Sequence, residues 1–208
     1  MLKLKPILVF AGWWLLIYGL LIAPWPGAKQ LYAGYFRGLG RLVLADDGGR
    51  RMLDFQPLDD SDHRWPPNFD TAIILGNRDL LDTGGNGQKF MLTVDAWQMG
   101  WTPTAFLVAL TLASPVSWRR RYWALLWGLL LVHCFVLMTL DIFIWNESTR
   151  VSLVTLTPFW KGIANWLEAV ALAPIGPSFF AAALIWMLLT FRGQDLAHWK
   201  TCSPKTRR

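Results

Sequence analysis

The residues best equipped for chemistry are neighbours, His133 and Cys134. A thiol beside an imidazole base is a nucleophile–base pair, and it raises the reading of a membrane-embedded thiol peptidase or transferase using Cys134. Helical geometry argues against it. Both residues fall inside a long apolar run, and adjacent helical residues point about 100° apart, so this imidazole cannot readily serve this thiol. Another segment would have to bring the base, and no other apolar run carries His, Arg or Lys near its middle. Cys134 therefore reads as a small packing residue. His133 reads as a costly polar group that needs a partner inside a bilayer. Asp141 follows eight residues later, about one turn before the run ends. It reads as an interfacial carboxylate, or as a partner for Arg150 or for another subunit.

Other candidates are weaker. Asp59-Asp60-Ser61-Asp62-His63 gathers three carboxylates and an imidazole. Oxygen ligands suit calcium or magnesium, but the spacing is not that of an EF-hand, and the segment reads as a solvated loop. Gly84-Gly85-Asn86-Gly87 has the glycine density of a phosphate loop, yet no Gly-Lys-Ser/Thr follows, so it reads as a turn. No Ser-His-Asp set, HExxH, GxSxG or CxxC is present. Cys202 lies in the basic tail, so with Cys134 it offers no disulfide framework between 24 and 98. No catalytic, cofactor-binding or metal-binding residue is assigned and no cofactor is expected. A non-catalytic role is preferred.

The elements that position these residues follow from hydropathy. Charged residues make up 16% of the chain, against about 25% in soluble domains. They crowd into 24–98 and a few short spots, and long apolar runs lie between them. The net charge of +6 sits beside those runs rather than in a nucleic-acid motif, so nucleic acid is excluded as a partner. The runs cover 7–23, 101–118, 122–145 and about 177–191. The expectation is an α-helical integral membrane protein with four transmembrane helices and a small external, mainly-β (α+β) domain. The first run reads as an uncleaved anchor, because Pro24-Trp25-Pro26 follows it and makes a poor cleavage site.

Within the polar stretch, Leu31-Tyr32, Tyr35-Phe36, Leu39 and Leu42-Val43 recur at helical spacing and predict an amphipathic helix. Segments 42–44 and 52–55, flanking Asp46-Asp47-Gly48-Gly49, and segments 71–75 and 90–94 predict a sheet of about four strands. Phe159-Trp160, Ile163, Trp166-Leu167 and Val170 predict a short interfacial helix. The domain plan is thus an anchor over 1–23, an external domain over 24–98 and a transmembrane hairpin over 99–145. An external interfacial segment over 146–173, a last span over 174–191 and a basic tail over 192–208 complete it. Segments 1–6, 119–121 and 192–208 hold two, three and five Lys/Arg, against Asp195 as their one acid. Short basic segments stay inside, which places both termini in the cytoplasm of a bacterial inner membrane, with 24–98 in the periplasm.

Two stretches carry a family resemblance. One is Trp101-Thr102-Pro103-Thr104-Ala105 through Ala109-Leu110-Thr111-Leu112-Ala113-Ser114-Pro115 to Trp118-Arg119-Arg120-Arg121. The other is Ala124-Leu125-Leu126-Trp127-Gly128-Leu129-Leu130-Leu131-Val132-His133. Asn68-Phe69-Asp70-Thr71 and Asn77-Arg78-Asp79 fit the same pattern. Over about 70–140 the chain resembles bacterial membrane proteins encoded alongside exosortases, of the exosortase H-associated type. Exosortases themselves carry Cys, Arg and His on separate spans, a set missing here. The resemblance thus implies a non-catalytic accessory subunit of a protein-sorting system, with no catalytic residues carried over. Its implied partners are the lipid bilayer and another membrane protein, the exosortase or its substrate. His133, Asp141, Trp160 and Trp166 are the candidate contacts. A structural subunit of another inner-membrane complex is the further alternative.

Overall fold

The structure, a computed structural model, describes residues 4–44, 51–58, 68–77, 89–150, 157, 159–160, 162 and 176–190. In chain order the elements are α1 (Leu4–Ile22), α2 (Ala28–Leu44), β1 (Arg51–Pro57), β2 (Thr71–Asn77) and β3 (Lys89–Val94). A π-helical turn, Trp97–Trp101, then leads into α3 (Thr102–Ala113), followed by α4 (Trp118–Arg150) and α5 (Gly176–Thr190).

The strands form an antiparallel meander in the order β1-β2-β3. Its register lines up Phe55, Ile73 and Leu92 in one cross-strand row and Leu53, Leu75 and Phe90 in the next. Side chains alternate faces along a strand, so these rows share one face, while Asp54, Gln56 and Met91 stand exposed on the other. The inner face packs against Tyr32, Ala33 and Phe36 of α2 and against Val136, Leu140 and Ile144 of α4. In α2 the spacing expected to be helical is helical, and Tyr32, Ala33, Phe36 and Gly40 are its buried stripe. Gly40 is needed for close approach: a Cβ there would stand 2.8 Å from the Phe55 ring. Residues 42–44, expected as a first strand, are the last turn of α2, so the described sheet has three strands. The three- and four-residue apolar spacing simply continues through Val43, and Leu44 packs on the core.

Helix α4 carries a second core as well. Ala124, Gly128, Val132, Val136, Leu140, Ile144 and Ser148 are buried at every fourth residue. Four residues advance a helix by about 40° beyond a full turn, so the stripe swings by about 240° from Ala124 to Ser148. Its lower part meets Leu107 of α3 and Ala182 of α5 through Val132. Its upper part lies under the sheet. Gly128 keeps the lower contact tight, because a Cβ there would stand 2.9 Å from the Leu107 side chain. Around this lower bundle Leu8, Leu16, Leu126, Phe180 and Leu188 are each more than half exposed.

The expectation of four transmembrane helices is not upheld. Among the described residues one helix, Trp118–Arg150, is long and apolar enough to cross a membrane. Ile7–Ile22 and Ser178–Thr190 are apolar but shorter. The run at 101–118 gives the twelve-residue helix α3, which rises about 18 Å against a hydrocarbon core of about 30 Å. Pro115 ends it, since the residue before a proline is driven to extended backbone, and Ser114 has ψ 137°. The run at 122–145 belongs to a longer helix, and in its upper half Val136, Leu140 and Ile144 are covered by protein, in one core with the sheet and α2, rather than by lipid. Apolar composition could not distinguish those two coverings. The turns at 46–49 and 84–87 and the acidic segment 59–63 lie outside the described residues.

This division of α4 is testable by substitution. Leu140→Ala empties a fully buried site in the sheet core and should cost about 2–5 kcal/mol. Leu130→Ala removes an exposed side chain and should stay within about 0.5 kcal/mol. Chemical denaturation in mild detergent measures both, and equal losses would mean that the two halves of α4 are covered alike.

Candidate functional site: an aromatic groove where the two cores meet

Between the end of α1, the first half of α2 and the π-helical turn lies an apolar groove of about 1000 Å³. Its walls include Leu20, Leu21, Trp25, Tyr32, Tyr35, Trp97 and Trp101. Gly27, at φ 81°, makes the sharp turn between α1 and α2. The π-helical turn follows from its flanks. Asp95 Oδ1 accepts from the Gln98 N–H at 3.1 Å and starts the turn. Pro103 has no N–H to return to the Met99 carbonyl. Thr102 instead bonds the Trp97 carbonyl through its backbone N–H and, at 2.9 Å, through its hydroxyl. Trp97 and Trp101 are thereby brought to 5.4 Å between ring centroids.

Two of the three indole N–H groups of these walls are already used. Trp25 Nε1 donates to the Leu20 carbonyl at 2.9 Å, and Trp101 Nε1 donates to the Leu21 carbonyl at 3.0 Å. Both carbonyls sit in the last turn of α1, where the helix has no donors of its own. Tyr32 stands at the centre, 5.4 Å from Trp101, 5.7 Å from Tyr35 and edge-on to Trp97 at 6.4 Å. Gly100 makes room for it, since a Cβ there would come within 3.1 Å of ring carbons of Tyr32. Burial pushes the Tyr32 phenol above its ordinary value; the neighbouring Tyr35 adds to this, and a hydrogen bond with Thr104 opposes it. Tyr32 is therefore a neutral wall residue rather than an acid or base.

His133 joins this site through Tyr35, whose ring meets it edge-on at 5.7 Å. Its Nδ1 lies 2.7 Å from the Leu129 carbonyl oxygen. Two acceptors cannot share a hydrogen bond, so Nδ1 carries a proton. Cys134 is not buried packing, as expected, but exposed on the surface of α4. It points away from the imidazole, as adjacent helical residues must. Asp141 lies eight residues on, about 12 Å along the axis, so it does not touch His133. Arg150, suggested as its partner, also bonds Glu147 at 2.9 Å. Trp160 meets the Trp145 ring at 6.2 Å, away from the groove. Trp166 lies outside the described residues. Among the described residues no group of three or more His, Cys, Asp or Glu could hold a metal ion. Sequence reasoning missed Tyr32 and Tyr35; their signal was the repeat of aromatic pairs at three- and four-residue spacing, 32/35 and 97/101.

A smaller polar cleft of about 270 Å³ lies behind α2, lined in part by Lys29, Arg37 and Asp70. Its cations serve as pins. Lys29 Nζ donates to the Asn68 carbonyl at 2.7 Å and Arg37 Nη1 to the Asp70 carbonyl at 3.1 Å. Asp70 Oδ1 accepts from the Ala96 N–H at 3.1 Å and from the Thr71 hydroxyl at 2.9 Å. Its Oδ2 is buried with no partner. Comparison with protein-family models, curated proteins and solved structures found no match to this chain.

Burial raises the Asp70 carboxyl above its ordinary range, ahead of the two hydrogen bonds that lower it. A carboxyl whose folded value is raised binds its proton more tightly when folded. Its contribution is most favourable below the ordinary aspartate value, falls as pH rises through the raised one, and is level above that. Asp70→Asn keeps an oxygen acceptor without the charge, so it should flatten that fall. Denaturation midpoints measured from pH 3 to 8 check it, and an unchanged slope would show that the carboxylate is not penalised.

Proposed function

We propose that this chain is a non-catalytic accessory subunit that binds another membrane protein, in a bacterial inner-membrane sorting system of the exosortase type. The observation that carries the reading is the open aromatic groove beside His133, apolar on its walls and with the indole donors of Trp25 and Trp101 already satisfied. A neighbouring helix or peptide would cover that surface, and Nε2 of the imidazole would be its polar contact. The exosortase assignment itself rests on the resemblance over about 70–140. No pair among His133, Cys134 and Asp141 is placed for proton transfer, which favours binding over catalysis.

The outward apolar side chains of the lower bundle favour burial in lipid, since soluble monomers rarely expose such patches. The lower half of α4 then crosses the bilayer, and the sheet and aromatic groove lie at its far side. Arg119, Arg120 and Arg121 mark the other end. Trp186 of α5 donates to Ser114 Oγ at 2.8 Å and stacks on Phe10 of α1, 6.0 Å away, near those arginines. By the positive-inside rule this end faces the cytoplasm, with both chain termini on that side. Reporter fusions at position 60 and at the C-terminus should read periplasm and cytoplasm. A cytoplasmic signal at position 60 would overturn the orientation.

Photo-crosslinkers placed at Leu31 and Tyr35 in the native host should capture a second membrane protein. His133→Leu should weaken that capture without lowering protein levels. Recovery of the chain uncrosslinked, with function intact in His133→Leu, would refute the partner reading. The exposure of Cys134 keeps thiol chemistry as the second reading. Cys134→Ala should complement a deletion strain fully, and loss of function at normal protein levels would favour the thiol enzyme instead.

A further inference from the structure

The three arginines at the start of α4 are not equivalent. Arg121 turns inward, where Nη2 donates to the Ser114 carbonyl at 2.8 Å and the guanidinium lies 4.7 Å from the Trp118 ring centroid. Arg119 and Arg120 instead line a cleft of about 640 Å³ together with Ser117, Trp123, Trp127 and Leu189. The lining is divided by chemistry. Ser117 and the two guanidinium groups form a polar rim. Trp123 and Trp127, one and two turns further along α4, form an apolar wall with Leu189 of α5. Both indoles are about half exposed, and no carboxylate is among the described lining residues.

We propose that this cleft binds an anionic glycerophospholipid. Arg119 and Arg120 hold its phosphate, and an acyl chain lies along Trp123, Trp127 and Leu189. Guanidinium groups match phosphate oxygens in charge and in fork geometry, and basic pockets at the cytoplasmic side of membrane helices suit such headgroups. The wall identifies a lipid rather than free phosphate, which would need the rim and nothing more. Its direction also fits, because it leads from the cations up the outer surface of the apolar bundle. The proposal rests on the reading that this bundle is embedded in lipid.

The test uses the full chain, purified in mild detergent, delipidated and titrated by native mass spectrometry. The probes are phosphatidylglycerol, phosphatidylcholine with the same acyl chains, and inorganic phosphate as competitor. Phosphatidylglycerol should bind at least about tenfold more tightly than phosphatidylcholine. R119Q/R120Q should lose that preference while keeping its thermal midpoint. Trp127→Ala should weaken both lipids. Equal binding of the two lipids, a preference that survives in R119Q/R120Q, or unchanged binding by Trp127→Ala overturns the proposal. Displacement by millimolar inorganic phosphate overturns it too, in favour of a soluble anion. The membrane reading fails separately, if the protein stays monodisperse in buffer with no detergent.

Discussion

The fold hangs on the continuity of α4. Two cores share this one helix, and they share it through a buried stripe of period four rather than 3.6. The excess of about 40° at each step lets the stripe face α3 and α5 below and then turn toward the sheet and α2 above. A straight amphipathic helix would present both cores on the same side. Inserting or deleting one residue near position 134 would rotate one half against the other by about 100°, and one of the two cores would lose its knobs. Gly128 and Val132 below, and Val136 and Leu140 above, are therefore coupled although they serve different neighbours. A helix that carries both cores also forbids them to move apart, so the groove at their junction is held in shape from both sides.

Many polar side chains of this molecule follow a second rule. Where apolar surroundings leave no water, hydroxyls and indoles gain by finding acceptors within the chain, although Trp14 Nε1 and Thr190 Oγ1 are buried without one. Thr104, Thr111, Ser114, Thr139 and Ser148 each donate to the carbonyl four residues back, at 2.7–2.9 Å. Trp25 and Trp101 close the carbonyls at the end of α1. A donor committed in this way cannot serve a ligand without first breaking its bond. In the groove, Trp25 and Trp101 therefore contribute shape and apolar area.

Much of the local structure was legible in the sequence. The spacing of Leu31, Tyr35, Leu39 and Leu42 marked α2, and the β-rich runs at 52–55, 71–75 and 90–94 marked the three strands. The destination of α4 was not legible. Residues 136–144 are as apolar as a membrane span because they fill a protein core, and hydropathy reports burial without saying what does the burying. The same ambiguity made four spans out of runs of which one meets the length and hydropathy required. Cys134 was misread for a related reason. A cysteine in an apolar run is usually packed against protein, but the period-four stripe passes through Val132 and Val136 and leaves position 134 on the outside. Tyr35 was read only as part of the α2 repeat, because its contact, His133, lies 98 residues away in the sequence, and a local pattern can mark an aromatic pair but not that contact.

The two ends of the apolar bundle are built on opposite principles. At the end where α4 begins, Arg119 and Arg120 line a cleft and Arg121 is turned inward against Ser114. At the other end charge is withdrawn. Lys29 and Arg37 are turned back onto backbone carbonyls of the segment before β2, and aromatic rings take the surface instead. Arg41 likewise donates to the Phe55 carbonyl and sits 3.6 Å from Asp54. A cation bonded to its own backbone offers little to an anionic headgroup, whereas an aromatic wall at the same level favours an apolar partner. In the proposed orientation the basic end would face lipid phosphate and the aromatic end would be left for a protein partner.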